Sequence, residues 1–203
     1  MTPSALPHRG CTIPALLLCW LALVLGGCSA AEDAWNGKDI QGLMPELEFQ
    51  LTGTSGEQLT AVDFAGQVRL LYFGFTSCPD VCPATLSSLN NAVSLMPEEL
   101  RNRVTILFVS VDPERDTGER IQSYVQFFGS NIVGLTGPEP SLRALTRRYR
   151  TTFGYEEADA NGNYQVSHSA AVYVFDRQDQ ARLLLRPGVT PQQIAEDLTR
   201  LAR

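Results

Sequence analysis

Cys78 and Cys82 sit in Cys78-Pro79-Asp80-Val81-Cys82-Pro83, and His168 sits far downstream in Gln165-Val166-Ser167-His168-Ser169. Two thiols with three residues between them have two chemistries open. They can close to a disulfide if their Cα atoms come within about 7 Å. As thiolates they can bind a soft or borderline metal such as Cu(I) or Zn(II). A helix-like path between them would put both sulfurs on one side of the chain. A helix N-terminus would also favour thiolate over thiol. A purely structural staple is the weaker reading, because so short a loop gains little from closure and a domain of this size needs none. The spacing differs from the Cys-x-x-Cys of redox thioredoxins, so thiol exchange is open but not signalled by spacing alone.

The first residues of the chain decide which other cysteines compete. No charge occurs between Arg9 and Glu32, and residues 13–25 are almost wholly apolar. With Arg9 before and Gly26-Gly27 after, this is the pattern of a secretory signal. Leu25-Gly26-Gly27-Cys28-Ser29 resembles the bacterial lipobox, in which the Cys is acylated and becomes the mature N-terminus. The expected division is a lipoprotein signal peptide over 1–27, a lipidated tether over 28–43 and a folded domain over 44–203. An uncleaved membrane anchor is the alternative, but the apolar core is short of about 20 residues and Pro14 interrupts it. Either way the domain faces an oxidising space such as the periplasm, lipid-anchored at a membrane, with the inner membrane favoured. Acyl chains on Cys28 would hold it there, each buried methylene contributing about 0.8 kcal/mol.

The chain has five cysteines and two histidines. Cys11, Cys19 and His8 belong to the leader, and Cys28 is the expected lipidation site. That leaves Cys78, Cys82 and His168. Structural zinc needs four protein ligands and copper accepts two or three, so the inventory favours copper. A lone His is more often a hydrogen-bonded structural residue, and its spacing alone does not make it a ligand.

Around these residues lies an ordinary globular composition, 44% hydrophobic and 19% charged, which excludes a disordered chain. The net charge of −6 argues against a nucleic-acid partner, which needs a basic face. The one dense basic cluster, Arg143, Arg147, Arg148 and Arg150, reads as a solvated helix face. Residues 47–51 and 58–62 predict a hairpin, and residues 68–75 predict a strand buried on both faces. A turn over 76–83 leads into a helix with Leu86, Leu89, Val93 and Leu95 as its apolar stripe. A buried strand over 104–111, a helix over 117–128, a short apolar segment over 132–135 and a helix over 138–150 follow. A polar loop over 158–163 carries Asn161-Gly162. Strands over 171–175 and 182–185 and a capped helix over 190–203 complete an α/β pattern, βαβ…ββα, in thioredoxin-fold order. The cysteine pair then lies at the carboxyl end of a buried strand, where sites on such sheets usually form.

Three blocks, in order and at fitting separations, resemble the Sco/SenC family. They are Phe73-Gly74-Phe75-Thr76-Ser77-Cys78-Pro79-Asp80-Val81-Cys82-Pro83, then Val109-Ser110-Val111-Asp112-Pro113-Glu114-Arg115-Asp116-Thr117, then His168-Ser169 ahead of a strand. The likeness spans roughly residues 43–203. It implies a thioredoxin-like fold with an added N-terminal hairpin and a hairpin insertion near the C-terminus. It implies copper, as Cu(I) or Cu(II), bound by Cys78, Cys82 and His168, with Cys78 and Cys82 a redox-active pair able to form a disulfide. The implied role is delivery of copper to the CuA centre of cytochrome c oxidase subunit II. The alternative is a thiol–disulfide oxidoreductase that reduces the CuA-site cysteines of that subunit. A periplasmic thioredoxin-like reductant or a copper donor would be a second partner. One position departs from the family pattern: Ser167 stands where Asp is common, which removes a carboxylate next to the histidine. Asp80 and Asp112 match the family and are assigned turn and loop roles rather than ligation.

Overall fold

The computed structural model describes residues 34–160 and 162–203. The leader, Cys28 and Asn161 lie outside the described residues. From the N-terminal side the elements are β1 (Lys38–Asp39), β2 (Gln50–Gly53), β3 (Gln58–Thr60), β4 (Val68–Gly74), α1 (Val81–Leu95), a short α2 (Glu98–Arg101) and β5 (Val104–Ser110). Then come α3 (Gly118–Phe128), β6 (Ile132–Thr136), α4 (Glu139–Arg148), β7 (Phe153–Tyr155), β8 (Val166–His168), β9 (Val172–Phe175), β10 (Ala181–Leu185) and α5 (Pro191–Ala202).

One sheet runs β1-β10-β9-β4-β5-β6-β2-β3. Strands β4, β5 and β6 are parallel, and β9 pairs antiparallel with β4 and with β10. The order β5-β4-β9-β10 with α1 and α5 is the expected thioredoxin-like arrangement. The β2–β3 hairpin adds to the far edge by pairing with β6, and β7 and β8 form a separate two-stranded insertion. Every residue of β4 and β9 is buried, as expected of nearly continuous apolar runs covered on both faces, with Arg69 the one charged residue among them. Among the described residues no helix is long and apolar enough to cross a membrane.

Three expectations need correction. Residues 35–43, read as tether, are folded from Trp35 on. The N–H groups of Asn36 and Gly37 donate to buried Asp197 at 3.1 and 2.8 Å, Ile40 is 3% exposed, and β1 pairs with β10. This segment is held by backbone bonds to one carboxylate rather than by an apolar stripe, so periodicity does not reveal it. The stripe of α1 ends early, because the helix stops at Leu95, which is exposed, and Met96 turns into the core instead. Finally, α1 begins at Val81, so Cys82 is helical and Cys78 is not.

Candidate metal and redox site

The site grows from the carboxyl end of β4. There the chain leaves the sheet at Phe75, and a turn brings the Cys78 N–H to the Phe75 carbonyl at 3.3 Å. The first turn of α1 then points a free N–H at the preceding sulfur: Cys82 N–H donates to Cys78 Sγ at 3.4 Å. The two sulfurs therefore meet across the helix start, not along a helix face. Both are free thiols in this structure.

His168 arrives from the other side, at the end of β8. Its Nε2 lies 3.5 Å from Cys82 Sγ, and its Nδ1 lies 3.1 Å from the Ser169 carbonyl. A proton on Nδ1 satisfies that carbonyl and leaves the Nε2 lone pair facing the sulfur. Phe75 and Tyr72 pack edge-on to the imidazole, with ring centroids 5.6 and 6.2 Å away. The Tyr72 hydroxyl donates to Cys82 Sγ at 3.5 Å.

The three ligand atoms lie within 4.8 Å of one another. Bonds of about 2.0–2.3 Å from one ion to imidazole and thiolate place such donors roughly 3.5–4 Å apart, so only small side-chain shifts separate this arrangement from coordination. Burial sets the charge state of the metal-free site. Cys82 is 0% exposed, and burial pushes its thiol up to about 12 despite the Tyr72 hydrogen bond. Burial also raises Tyr72 and lowers His168. The metal-free pocket thus favours a neutral thiol, phenol and imidazole, and the helix-start effect expected from sequence loses to desolvation at Cys82.

Gly74 makes room for this. A Cβ there would stand 2.7 Å from Cys82 Sγ and 2.7 Å from the Phe108 ring. No other residue type lets the sulfur lie directly over β4.

Two buried carboxylates hold the two halves of the site. Asp116 accepts from the Thr76 N–H at 2.8 Å, the Thr76 hydroxyl at 2.5 Å and the Ser110 hydroxyl at 2.6 Å. Arg120 adds bonds to the Thr76 and Ser77 hydroxyls at 2.7 and 2.9 Å. These fix the loop carrying Cys78. Asp112 accepts from Arg115 at 2.5 Å and from the Tyr164 hydroxyl at 2.7 Å. Arg115 also donates to the Tyr164 carbonyl at 2.9 Å and lies 3.7 Å over its ring, while Tyr155 donates to the Val111 carbonyl at 2.8 Å. These bonds latch the β7–β8 insertion, and with it His168, onto the core.

The sequence reading missed both roles. It gave Asp112 turn chemistry alone and Asp116 no role. The available signal was a carboxylate pair directly after a buried strand, where burial demands partners. Asp80 makes no capping bond through its side chain; only its carbonyl acts, accepting from Ala84 N–H at 3.1 Å. Ser167 points away from the site, because neighbours on a strand face opposite sides, and donates to the Gly154 carbonyl at 3.2 Å. The residue at that position braces the hairpin, and His168 takes its orientation from Ser169.

Known proteins share this architecture. A human protein, the mitochondrial SCO1 homolog, is 39% identical over 132 residues, covering 62% of this chain and 42% of that protein. This chain thus spans less than half the length of that relative. The copper-bound structure of ScoI from Bradyrhizobium japonicum is 31% identical, with a TM-score of 0.70 over 77% of this chain and 98% of that one. The apo Sco1 of Thermus thermophilus is 33% identical, with a TM-score of 0.74 over 84% and 99%. The SCO1/SenC family profile matches residues 40–203, nearly the whole of the described fold, and the chain belongs to the SCO1/SenC family.

Proposed function

We propose that this protein is a membrane-anchored copper metallochaperone for the CuA centre of cytochrome c oxidase. The observation that carries the reading is the convergence of Cys78 Sγ, Cys82 Sγ and His168 Nε2 within 4.8 Å in an apolar wall. Two thiolates and an imidazole suit Cu(I) and also accommodate Cu(II), and the copper-bound relative supports the assignment. Cys82 gives up its proton when copper enters, so loading releases protons and the metal's charge offsets the cost of a buried thiolate. Oxidation of the pair to a disulfide removes two electrons, two protons and both thiolate donors together. Redox state therefore gates loading.

Delivery goes to subunit II of the oxidase, with a periplasmic thioredoxin-like reductant keeping the pair reduced or a copper donor filling it. Cys28 carries the lipid, and the domain stands in the periplasm. The test is transfer: the Cu(I)-loaded protein is mixed with the metal-free, reduced CuA domain of subunit II. Build-up of the CuA absorption with loss of copper from this protein is the expected result. No transfer to a competent CuA domain overturns it.

A second reading, reduction of the CuA-site cysteines of subunit II, has its own observation in the half-buried Cys78 beside the enclosed Cys82. Cys78 attacks the partner disulfide, Cys82 resolves the mixed disulfide, and the two electrons of the pair pass to the partner. Reduction of an oxidised CuA domain by the copper-free protein is its signature.

A further inference from the structure

A groove of about 330 Å³ neighbours this site through Asp80 and Val81, which lie between the two cysteines in sequence. Its walls include Val81, Ala84 and Ser88 of α1, Ala170 two residues after His168, and Pro187 and Gly188 beyond β10. Val81, between the two cysteines in sequence, is 40% exposed. Asp80 and Arg186, both exposed, are also part of the wall and carry opposite charges.

The backbone along this groove is incomplete in a specific way. Val172 pairs with Leu185 across β9 and β10, and in that register the position opposite Ala170 is residue 187. Residue 187 is Pro187, which has no N–H to donate, and β10 has already ended at Leu185. Among the described residues no hydrogen bond uses the N–H or the C=O of Ala170. Here β10 has ended and no longer covers the chain leading into β9; unpaired main-chain groups at such a strand end, beside an apolar groove, are what an extended peptide completes, by backbone pairing with side chains set alternately into the groove.

We infer that the groove receives an extended segment of the partner protein that carries its cysteine, paired through its backbone with Ala170, so that its sulfur is presented at Cys78 Sγ. The occupant is a peptide strand rather than a small molecule, because the unmet groups are a donor and an acceptor on one main-chain residue. The inference rests on the second reading of the proposed function, in which Cys78 attacks a partner's disulfide. It adds where the partner's chain runs and what holds it there.

The test uses the full, reduced chain and a short peptide of alternating Val and Ser with one central cysteine, held as a mixed disulfide with thionitrobenzoate. Cys78 attacks the peptide sulfur and thionitrobenzoate leaves as a thiolate. Cys82 then closes the Cys78–Cys82 disulfide and frees the peptide thiol, so the probe is the oxidant and the dithiol the reductant. The readout is the rate with the peptide divided by the rate with the symmetrical thionitrobenzoate disulfide, which needs no groove. Ala84→Trp fills the groove from an exposed helix position, and the ratio is expected to fall roughly tenfold or more. N-methylation of the peptide at one alternate backbone position is expected to lower the ratio to a similar degree, with no change to the protein at all. An unchanged ratio in Ala84→Trp overturns the location, and indifference to N-methylation at every position overturns the backbone pairing. Copper titration of the same sample reads the proposed function separately. Copper bound with an unchanged ratio overturns the groove alone, and copper lost with the ratio intact overturns the chaperone reading alone.

Discussion

Cys82 Sγ and His168 Nε2 stand 3.5 Å apart although 86 positions separate them in the chain. One belongs to the first turn of α1 and the other to the end of the β7–β8 insertion. Anything that loosens either element opens the site without touching a donor atom.

Burial divides the two thiols. In the metal-free, reduced protein Cys78 is expected to react with iodoacetamide, while Cys82, fully enclosed and with its thiol pushed up to about 12, resists from pH 7 to 9. Mass spectrometry should show one adduct, mapped to Cys78, and a second only in denaturant. The same shift makes metal-free stability fall as pH rises above about 8.5, because the unfolded chain ionises this thiol first. Equal labelling of both cysteines in the folded protein contradicts the burial.

Asp116 positions the loop of Cys78. Asp116→Ala strands the Thr76 N–H and two hydroxyls, and the expected cost is about 2–4 kcal/mol in denaturant unfolding. A merely structural role predicts only that loss. A positioning role also predicts faster copper release under conditions where the variant is fully folded, with Asp116→Asn partly restoring both.

On the histidine side, Asp112→Ala removes the acceptor shared by Arg115 and Tyr164. Protease cleavage within residues 156–165 should become faster, and Cu(II) binding should weaken more than Cu(I) binding because the imidazole is the donor that loosens. His168→Ala should show the same ordering more strongly, with Cu(II) affinity down by roughly 10- to 100-fold or more. Equal weakening of the two oxidation states contradicts the role given to His168.

Gly74→Ala tests the packing beneath the sulfur. The new methyl meets Cys82 Sγ and Phe108 at 2.7 Å, so Cys82 must shift, at a cost of about 1–3 kcal/mol. Copper affinity should fall with stability, whereas a variant with wild-type affinity contradicts the close approach.

The three candidate donors were legible in the sequence because two thiols and one imidazole remain once the expected leader is set aside, and the family resemblance joins His168 to the pair. The β4 and β5 strands were equally plain, since a nearly continuous apolar run of that length fits a strand covered on both faces. What the sequence hid depends on contacts between distant segments. Asp112 and Asp116 look like turn residues until Thr76 and Tyr164 are brought to them. Residues 35–43 look like a tether because Asp197, their anchor, lies at the other end of the chain. Ser167 reads in sequence as a lost carboxylate, but strand alternation turns it away from the three candidate donors. Cys82 showed the limit of a local rule, because a helix start lowers a thiol's pKa only where solvent or charge supports the thiolate.

The most direct test of the central claim is a Cu(I) titration of the purified protein with an excess of reductant, repeated after oxidation of the pair. One copper per chain is predicted in the reduced protein, and its loss is predicted on oxidation and in the Cys78→Ser, Cys82→Ser double variant. Undiminished binding by that double variant would contradict the account.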